Sequence, residues 1–390
     1  MLFRSDLVDM MTFDRVEFEK NISLSVKKKV KIESKFDLVK IGQIASTQYG
    51  FTDKATDQGE TRYLRITDLN DDGSINLNNE AKYINPSDET KTQFLLENND
   101  IVIARSGSVG KSAIYKSEKY DKMIFASYLI RLKADENKIL PDYLFNFTKT
   151  QMYWNQVDAN SVAVTQPNLN AEKIKEFQIP LPPIDIQQKI VSEIEVLEIK
   201  EKKAKEEVEK LKAETSNLFE NSIKKINSFL LKDIIELQNG KDLSKSSRIE
   251  GEYFIYGGNG ILGKLNEYLV EKPTIAIGRV GAYCGAVHLT KEKSWITDNS
   301  MFVSNYLKEV NIKFLYFSLK KLNLNQFANA ASHPNISQPT VLNQKIPLPP
   351  LSEQQKIVSE IEKIEEKIKV LETEISEIPK QKEAILKKYL

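Results

Sequence analysis

Two arginines stand out as residues whose type and setting invite chemistry. Each ends an apolar run and precedes a glycine by two positions. The first opens Arg105-Ser106-Gly107-Ser108-Val109-Gly110-Lys111, the second Arg279-Val280-Gly281-Ala282-Tyr283-Cys284-Gly285. Glycines at such places let the backbone turn tightly or approach a ligand closely. Two readings stand side by side: a hairpin turn with no binding role, or an arginine presented to a phosphate or to a guanine edge. Gly107 to Ser112 also suggests a nucleotide-binding P-loop. That motif needs G-x-x-x-x-G-K-[ST], and Arg105 stands where its first glycine belongs.

Other reactive residue types give less. The chain has two histidines, His288 and His333, and one cysteine, Cys284. No Ser-His-Asp spacing and no metal-ligand cluster can be assembled from them, so neither catalysis nor a metal site is expected. A DNA amino-methyltransferase needs an Asn/Asp-Pro-Pro-aromatic loop, and the only Pro-Pro pairs here lie in LPPI and LPPL. His333 sits in a polar stretch, AASHPNISQP, where a lone histidine usually has no special role. Tyr63, Tyr128, Tyr153, Trp154, Tyr256 and Tyr283 read as core or rim rather than as stacking platforms.

The net charge is only +1, from 56 Lys and Arg against 55 Asp and Glu, so any nucleic-acid surface must be local. One cysteine excludes an internal disulfide framework. No apolar run reaches the roughly 18 residues of a membrane span, and no signal segment opens the sequence. A chain without a membrane segment, located in the cytoplasm, is the expectation. Its 390 residues suffice for two or three domains.

The elements that must position these residues are marked by a stretch written twice. Residues 179–195 read IPLPPIDIQQKIVSEIE and residues 346–362 read IPLPPLSEQQKIVSEIE. They differ only at Ile184/Leu351, Asp185/Ser352 and Ile186/Glu353. Gln-Pro pairs precede them, Gln166-Pro167 and Gln338-Pro339. The prolines mark boundaries, and Asp185 and Ser352 are good helix caps. Beyond them apolar residues step by four and three: Ile190, Ile194, Leu197, Ala204, Val208, Leu211 and Leu218 in the first copy. The second has Ile357, Ile361, Ile364, Ile368, Leu371, Ile375, Ile378, Ile385 and Tyr389. This is coiled-coil spacing over about 40 residues, roughly 60 Å of helix. Pro379 falls within the second seam and predicts a kink or break there.

The expected organisation is a charged leader (1–36) with dense lysines at Lys27, Lys28, Lys29 and Lys31, a first globular domain (37–183), and a first long helix (184–227). A second globular domain (228–350) and a second long helix (351–390) follow. Within the first domain, TRYLRITDL (61–69) reads as a strand and MIFASYLIRL (123–132) as another. DIVIARSGSVGKSAIY (100–115) reads as strand, turn, strand, and LPDYLFNFTKTQMYWNQV (140–157) as a helix. The second domain repeats this order with different residues through EYFIYGGNGILGKL, TIAIGRVGAYCGAVHL and IKFLYFSLKKLN. The fold class is α+β: two mixed globular domains and two long helices that form an antiparallel coiled coil.

The doubled LPP…QQKIV segment, each copy following a variable domain, resembles the specificity subunit of type I restriction–modification systems. The likeness covers nearly the whole chain from about residue 37. The leader and Pro379 depart from it. The resemblance implies two target recognition domains, each reading one half of a bipartite double-stranded DNA target. The long helices would set the spacing and dock two methyltransferase subunits, which up to two motor-nuclease restriction subunits can join. S-adenosylmethionine, ATP and Mg²⁺ would belong to those partners, with no cofactor in this chain. Candidate DNA contacts are then Arg65, Thr67, Arg105, Ser106, Gly107 and Lys111 in the first domain. In the second they are Asn259, Lys264, Arg279, Gly281, Tyr283, His333 and Asn335. The rival class is a coiled-coil scaffold or adaptor bearing two domains for ligands other than DNA.

Overall fold

The computed structural model describes residues 32–77, 80–161, 168–243, 251–329 and 334–390. By internal contacts the chain divides into two compact units. One holds the described residues up to Glu201 together with Glu377–Leu390; the other is Lys202–Ser376.

The first unit begins with β1 (Leu38–Lys40) and β2 (Ala45–Tyr49). β3 (Thr61–Leu64), β4 (Tyr83–Ile84), α1 (Asp88–Phe94), β5 (Ile101–Ala104), β6 (Ser112–Ile114), β7 (Met123–Phe125) and β8 (Leu129–Ala134) follow. Helices α2 (Pro141–Phe147), α3 (Gln151–Ser161) and α4 (Ala171–Lys175) lead to β9 (Gln178–Pro180). The strands form sheets ordered β2-β8-β5-β6 and β4-β3-β7, with β1 paired antiparallel to β9. Strands β5 and β6 are buried throughout, which is why they read as continuous apolar runs rather than alternating ones.

The second unit repeats the plan with β10 (Ser228–Leu230), β11 (Ile235–Asn239), β12 (Tyr253–Gly257), β13 (Gly260–Leu265) and β14 (Ile275–Gly278). After these come β15 (Val287–Leu289), β16 (Trp295–Ile296), β17 (Ser300–Tyr306) and β18 (Lys345–Pro347). Its sheets are ordered β11-β17-β14-β15 and β13-β12-β16, with β10 paired to β18. Each small sheet contains one parallel pair, β3 with β7 and β12 with β16. The duplication read from the junctions therefore extends to the interiors, although their sequences differ.

The long helices are α5 (Ile184–Ile223) and α8 (Leu351–Tyr389); α6 (Ile312–Lys321) and α7 (Gln338–Leu342) belong to the second unit. In the first unit the start of α5 packs on the end of α8. Ile190, Val191 and Ile194 share a core with Leu386 and Leu390. Glu193 pairs with Lys388 at 2.9 Å and Glu198 with Lys382 at 3.1 Å, so numbers rise along one helix as they fall along the other. In the second unit the end of α5 meets the start of α8. Phe219, Ile357, Val358 and Ile361 bury against Phe314 of α6. The two helices run antiparallel in both units.

Four sequence expectations need correction. Asp185 and Ser352 do not cap the helices but lie inside the first turn. Pro183 and Pro350 occupy the position ahead of that turn, their carbonyls accepting from Gln187 N–H at 3.0 Å and Gln354 N–H at 3.1 Å. Residues 123–132 form two strands, because β7 pairs with β3 whereas β8 crosses to the other sheet. The helix expected over 140–157 is split at Thr148 and Thr150. Their hydroxyls bond back to Phe145 O and Phe147 O, and Thr150 Oγ1 accepts from Tyr153 N–H at the start of α3. Finally, of the kink or break expected at Pro379 the break is absent: α8 is one continuous helix through it. A proline there costs about 3 kcal/mol of helix stability. Burial of Ile378 and Leu386 on either side offsets that cost, and Pro379 itself is exposed.

Candidate nucleic-acid interface

The Arg-x-Gly turns sit at matching places in the two units, and backbone hydrogen bonds fix the match. Arg105 N–H donates to Tyr128 O at 3.0 Å, and Arg279 N–H to Asn299 O at 2.8 Å. The arginine carbonyls accept from Leu169 N–H and Ile336 N–H, both at 2.9 Å. Gly110 N–H reaches Ala104 O, and Gly285 N–H reaches Gly278 O. Each arginine is thus held by its backbone between the two loops beside it.

The glycines of these turns do two jobs. Gly107 and Gly281 have φ of +66° and +78°, with open space where a side chain would stand. There the left-handed backbone alone selects glycine. Gly110 (+87°) and Gly285 (+85°) are also sterically closed. A Cβ on Gly110 would meet Val157 Cγ1 at 2.9 Å, and one on Gly285 would meet Asn325 N at 2.4 Å.

In the first unit Arg105 is half-buried. Its guanidinium lies 4.9 Å from the Tyr49 ring centroid, and its Nε points to Asn168 Oδ1 at 3.5 Å. Ser106 and the exposed Gly107 follow it in the turn. Lys111 pairs with Asp71 at 2.7 Å, which holds the Asp71 carboxyl below its ordinary range. Leu64 O accepts from Ala126 N–H, which brings the Arg65–Thr67 segment to the same 126–128 turn that Arg105 contacts. Arg65 is neutralised there by the buried Asp68, at 3.0 and 3.2 Å, and also donates to Glu80 O. Thr67 is exposed.

In the second unit Asn259, Arg279, Gly281, Tyr283 and Asn335 gather at one end of the sheets. Gly281 N–H donates to Pro334 O at 2.9 Å, and Val280 forms a bridge with Asn335. A Cβ on Gly258, next to Asn259, would lie 3.8 Å from Gly278 Cα and Val280 O. Arg279 Nη1 donates to Asp298 O at 3.0 Å. Lys264 stands apart from this group: it lies opposite Phe254 on the β12–β13 hairpin, its Nζ 5.0 Å from that ring's centroid. His333 lies outside the described residues, as do Gln166 and Pro167.

A family model described as the type I restriction modification DNA specificity domain matches residues 33–210 and 223–380. The chain belongs to this type I DNA specificity family. It is similar to the EcoprrI specificity subunit of Escherichia coli, 23% identical over 353 residues that cover 83% of this chain and 86% of that protein. It also resembles the putative MjaX specificity subunit of Methanocaldococcus jannaschii, 26% identical over 320 residues, 71% of this chain and 73% of that one. Among solved structures, the type I system S subunit from M. genitalium shares the fold at TM-score 0.56 and 19% identity, covering 93% and 98% of the two chains. A chain from work on complex assembly and conformational transition of the type I R-M system matches at TM-score 0.56, 17% identity, and 92% and 98% coverage. No helix among the described residues is long and apolar enough to cross a membrane.

Within this specificity-family fold the structure also brings forward Asn168, Gln187 and Gln354, which were not among the candidate contacts, and pairs Asn168 with Asn335, which was. Asn168 and Asn335 each precede the N–H that bonds the arginine carbonyl, so they are counterparts. The signal was present as Pro167-Asn168-Leu169-Asn170 against Pro334-Asn335-Ile336-Ser337. The Gln-Pro pairs are therefore not equivalent positions. Gln187 and Gln354 are fully buried counterparts. Gln187 Oε1 accepts from Leu140 N–H at 2.8 Å while its Nε2 donates to Pro182 O at 2.9 Å; Gln354 does the same with Asn311 N–H and Pro349 O, both at 2.8 Å. Leu140 and Asn311 cap α2 and α6, so each glutamine pins the root of a long helix to its globular domain.

A cavity of about 940 Å³ opens in the first unit between the Gly107 turn, α3 and the two long helices. Lys149 lines it, donating to Ser112 O at 2.8 Å with its ammonium 4.8 Å from the Phe145 ring centroid. Burial pushes this lysine down to about 8, with Lys111 and Lys382 adding to the effect against Asp72 and Asp71.

Proposed function

We propose that each unit reads one half of a bipartite duplex DNA target, from the face that carries its Arg-x-Gly turn. Membership in the DNA specificity family makes the chain a DNA sequence-recognition subunit. The observation that carries the finer reading is the matched pair of turns. Arg105 and Arg279 occupy the same hydrogen-bonded position in two domains whose surrounding residues differ. An element common to two readers of different sequences suits phosphate positioning, and the divergent residues around it suit base readout. Thr67, Ser106, Gly107 and Lys111 then face DNA with Arg105. Asn259, Gly281, Tyr283 and Asn335 do so with Arg279. Arg65 braces its loop through Asp68, and Lys264 lies at the margin.

In the same proposal α5 and α8 set the distance between half-sites and dock two methyltransferase subunits. One DNA turn is roughly 34 Å, a span that helices of this length can bridge. Methyl transfer and cleavage reside in partner subunits, with S-adenosylmethionine, ATP and Mg²⁺ bound there and up to two motor-nuclease subunits joining. The working compartment is the cytoplasm, where those partners meet DNA.

Methylation-site sequencing of DNA exposed to the chain together with its methyltransferase tests the proposal. The expected product is one consensus made of two short specific blocks separated by a spacer of fixed length. A single contiguous block, or methylation without sequence preference, would overturn it. A gel shift with and without the methyltransferase separates DNA reader from scaffold.

A further inference from the structure

The two most exposed aromatic residues among the described residues both stand beside an Arg-x-Gly turn. Tyr128 is 62% exposed and Tyr283 is 52% exposed. They reach that place by different routes. Tyr128 comes from the β7–β8 turn, where its carbonyl takes the Arg105 N–H. The same position in the second unit is Asn299, whose carbonyl takes the Arg279 N–H. Tyr283 comes from the Arg279 turn itself. Five steps separate Arg105 from Gly110 and six separate Arg279 from Gly285, so the second turn has one extra residue, and Tyr283 is carried on the longer loop.

The local frame is the same in both units, and the aromatic is delivered to it from different loops. A side chain serving the part of the contact common to both units would recur at one frame position, as Arg105 and Arg279 do. A side chain that reads sequence would differ between two domains with different targets. Neither tyrosine belongs to a core cluster: each is more than half exposed, on a backbone already fixed by the turn. A tyrosine ring offers an apolar face for a thymine methyl and a hydroxyl that both donates and accepts at a base edge. It also loses few rotamers on being covered.

Resting on the bipartite DNA reading above, we propose that Tyr128 and Tyr283 are specificity-determining residues, each contacting base edges in the half-site read by its own unit. Asn168 and Asn335, at one shared frame position beside the arginines, belong with the sequence-independent part of the contact.

The test uses the full chain in complex with its methyltransferase subunits, carrying Tyr128→Ala, Tyr128→Phe or Tyr283→Ala. Consensus sequences come from methylation sequencing, and affinities from duplexes with substitutions in one half only. Tyr128→Ala is expected to relax one or two positions in one half, lowering discrimination there by about 5- to 150-fold, and to leave the other half intact. Tyr283→Ala is expected to do the reverse. Tyr128→Phe separates the hydroxyl from the ring: retained discrimination assigns the contact to the apolar face, and loss assigns it to the hydroxyl. An unchanged consensus at unchanged affinity in both alanine variants would overturn the proposal. So would loosening of both halves by either variant, or loss of methyltransferase binding with no change in the DNA sequences recognised, which would make the tyrosines a protein contact. Failure of the bipartite reading itself would show in the wild-type complex, as a consensus without two blocks.

Discussion

Arg105 and Arg279 were legible as a pair because type and spacing recur, but their surroundings were not. The sequence left a plain turn and a binding arginine open together. The structure adds that both guanidiniums are held by short-range contacts, Arg105 over Tyr49 and Arg279 on Asp298 O, at the edge of the sheets. With phosphate as their partner, Arg105→Ala and Arg279→Ala weaken binding to all duplexes alike and lower the slope of log affinity against log salt by about one unit each. With guanine as partner, the cost is about 1–3 kcal/mol and one base position relaxes. Titration at several salt concentrations distinguishes these, and wild-type affinity and slope in both variants would leave only a structural turn. Lys149 gave no sequence signal, since nothing in its neighbours marks it as buried. Its lowered folded-state value means the folded chain gives up this proton near pH 8, whereas the unfolded chain keeps it until about 10.5. The protein therefore carries the full penalty at pH 7, and its stability rises between about pH 8 and 10.5. Lys149→Met removes the charge at similar volume. Net of the donor lost by Ser112 O, it should stabilise the chain at pH 7 by about 1–3 kcal/mol. Urea denaturation at pH 7 and pH 10 should show that advantage shrinking at the higher pH. An advantage that grew with pH would refute the account.

At the scale of elements, the long helices were readable because a 4-3 apolar pattern survives any detail of tertiary contact. The short strands were less so: residues 123–132 form one apolar run, and only strand pairing divides it between two sheets. Pro379 shows the limit of a local rule, since packing of its neighbours outweighs one missing hydrogen bond. Ile364 is 6% exposed whereas Leu197 is only half-buried. Asp at 364 should therefore cost several kcal/mol and Asp at 197 distinctly less. Equal melting of wild type and both variants would argue against the seam. The buried glutamines were present in the doubled stretch but indistinguishable from their exposed neighbours Gln188 and Gln355. Each of Gln187→Ala and Gln354→Ala strands a capping N–H and a proline carbonyl. A loss of about 1–3 kcal/mol is expected, against changes within about 0.5 kcal/mol for Gln188→Ala and Gln355→Ala. Indistinguishable denaturation midpoints across all four would remove the pinning role.

At the scale of the whole molecule, the duplication is the fact that organises the rest. The sequence displayed it at the junctions, where IPLPP and QQKIVSEIE are constrained by helix entry and by the buried glutamine. Inside the domains it displayed the order of elements but not the residue-by-residue match, because backbone hydrogen bonds hold strand order and turn position while side chains vary. The frame is preserved from the β1–β9 and β10–β18 closures to the matched Arg-x-Gly turns, and on the proposed reading each globular part is an exchangeable cassette. Its connections to the remaining chain run through fixed elements: β1 with β9 on one side, and Gln187 at the root of α5 on the other. Replacing residues 37–165 with the first domain of another family member keeps β9, Gln187 and all of α5, and replaces the turn bearing Arg105, Ser106 and Gly107. The hybrid complex should methylate a target with one half changed and the other half, read by the Arg279 face, unchanged. Spacer length should stay the same, since neither long helix has been altered. Methylation sequencing of wild type and hybrid gives the comparison directly. Change in both halves, in neither, or in the spacer alone would mean that the two units do not read independently.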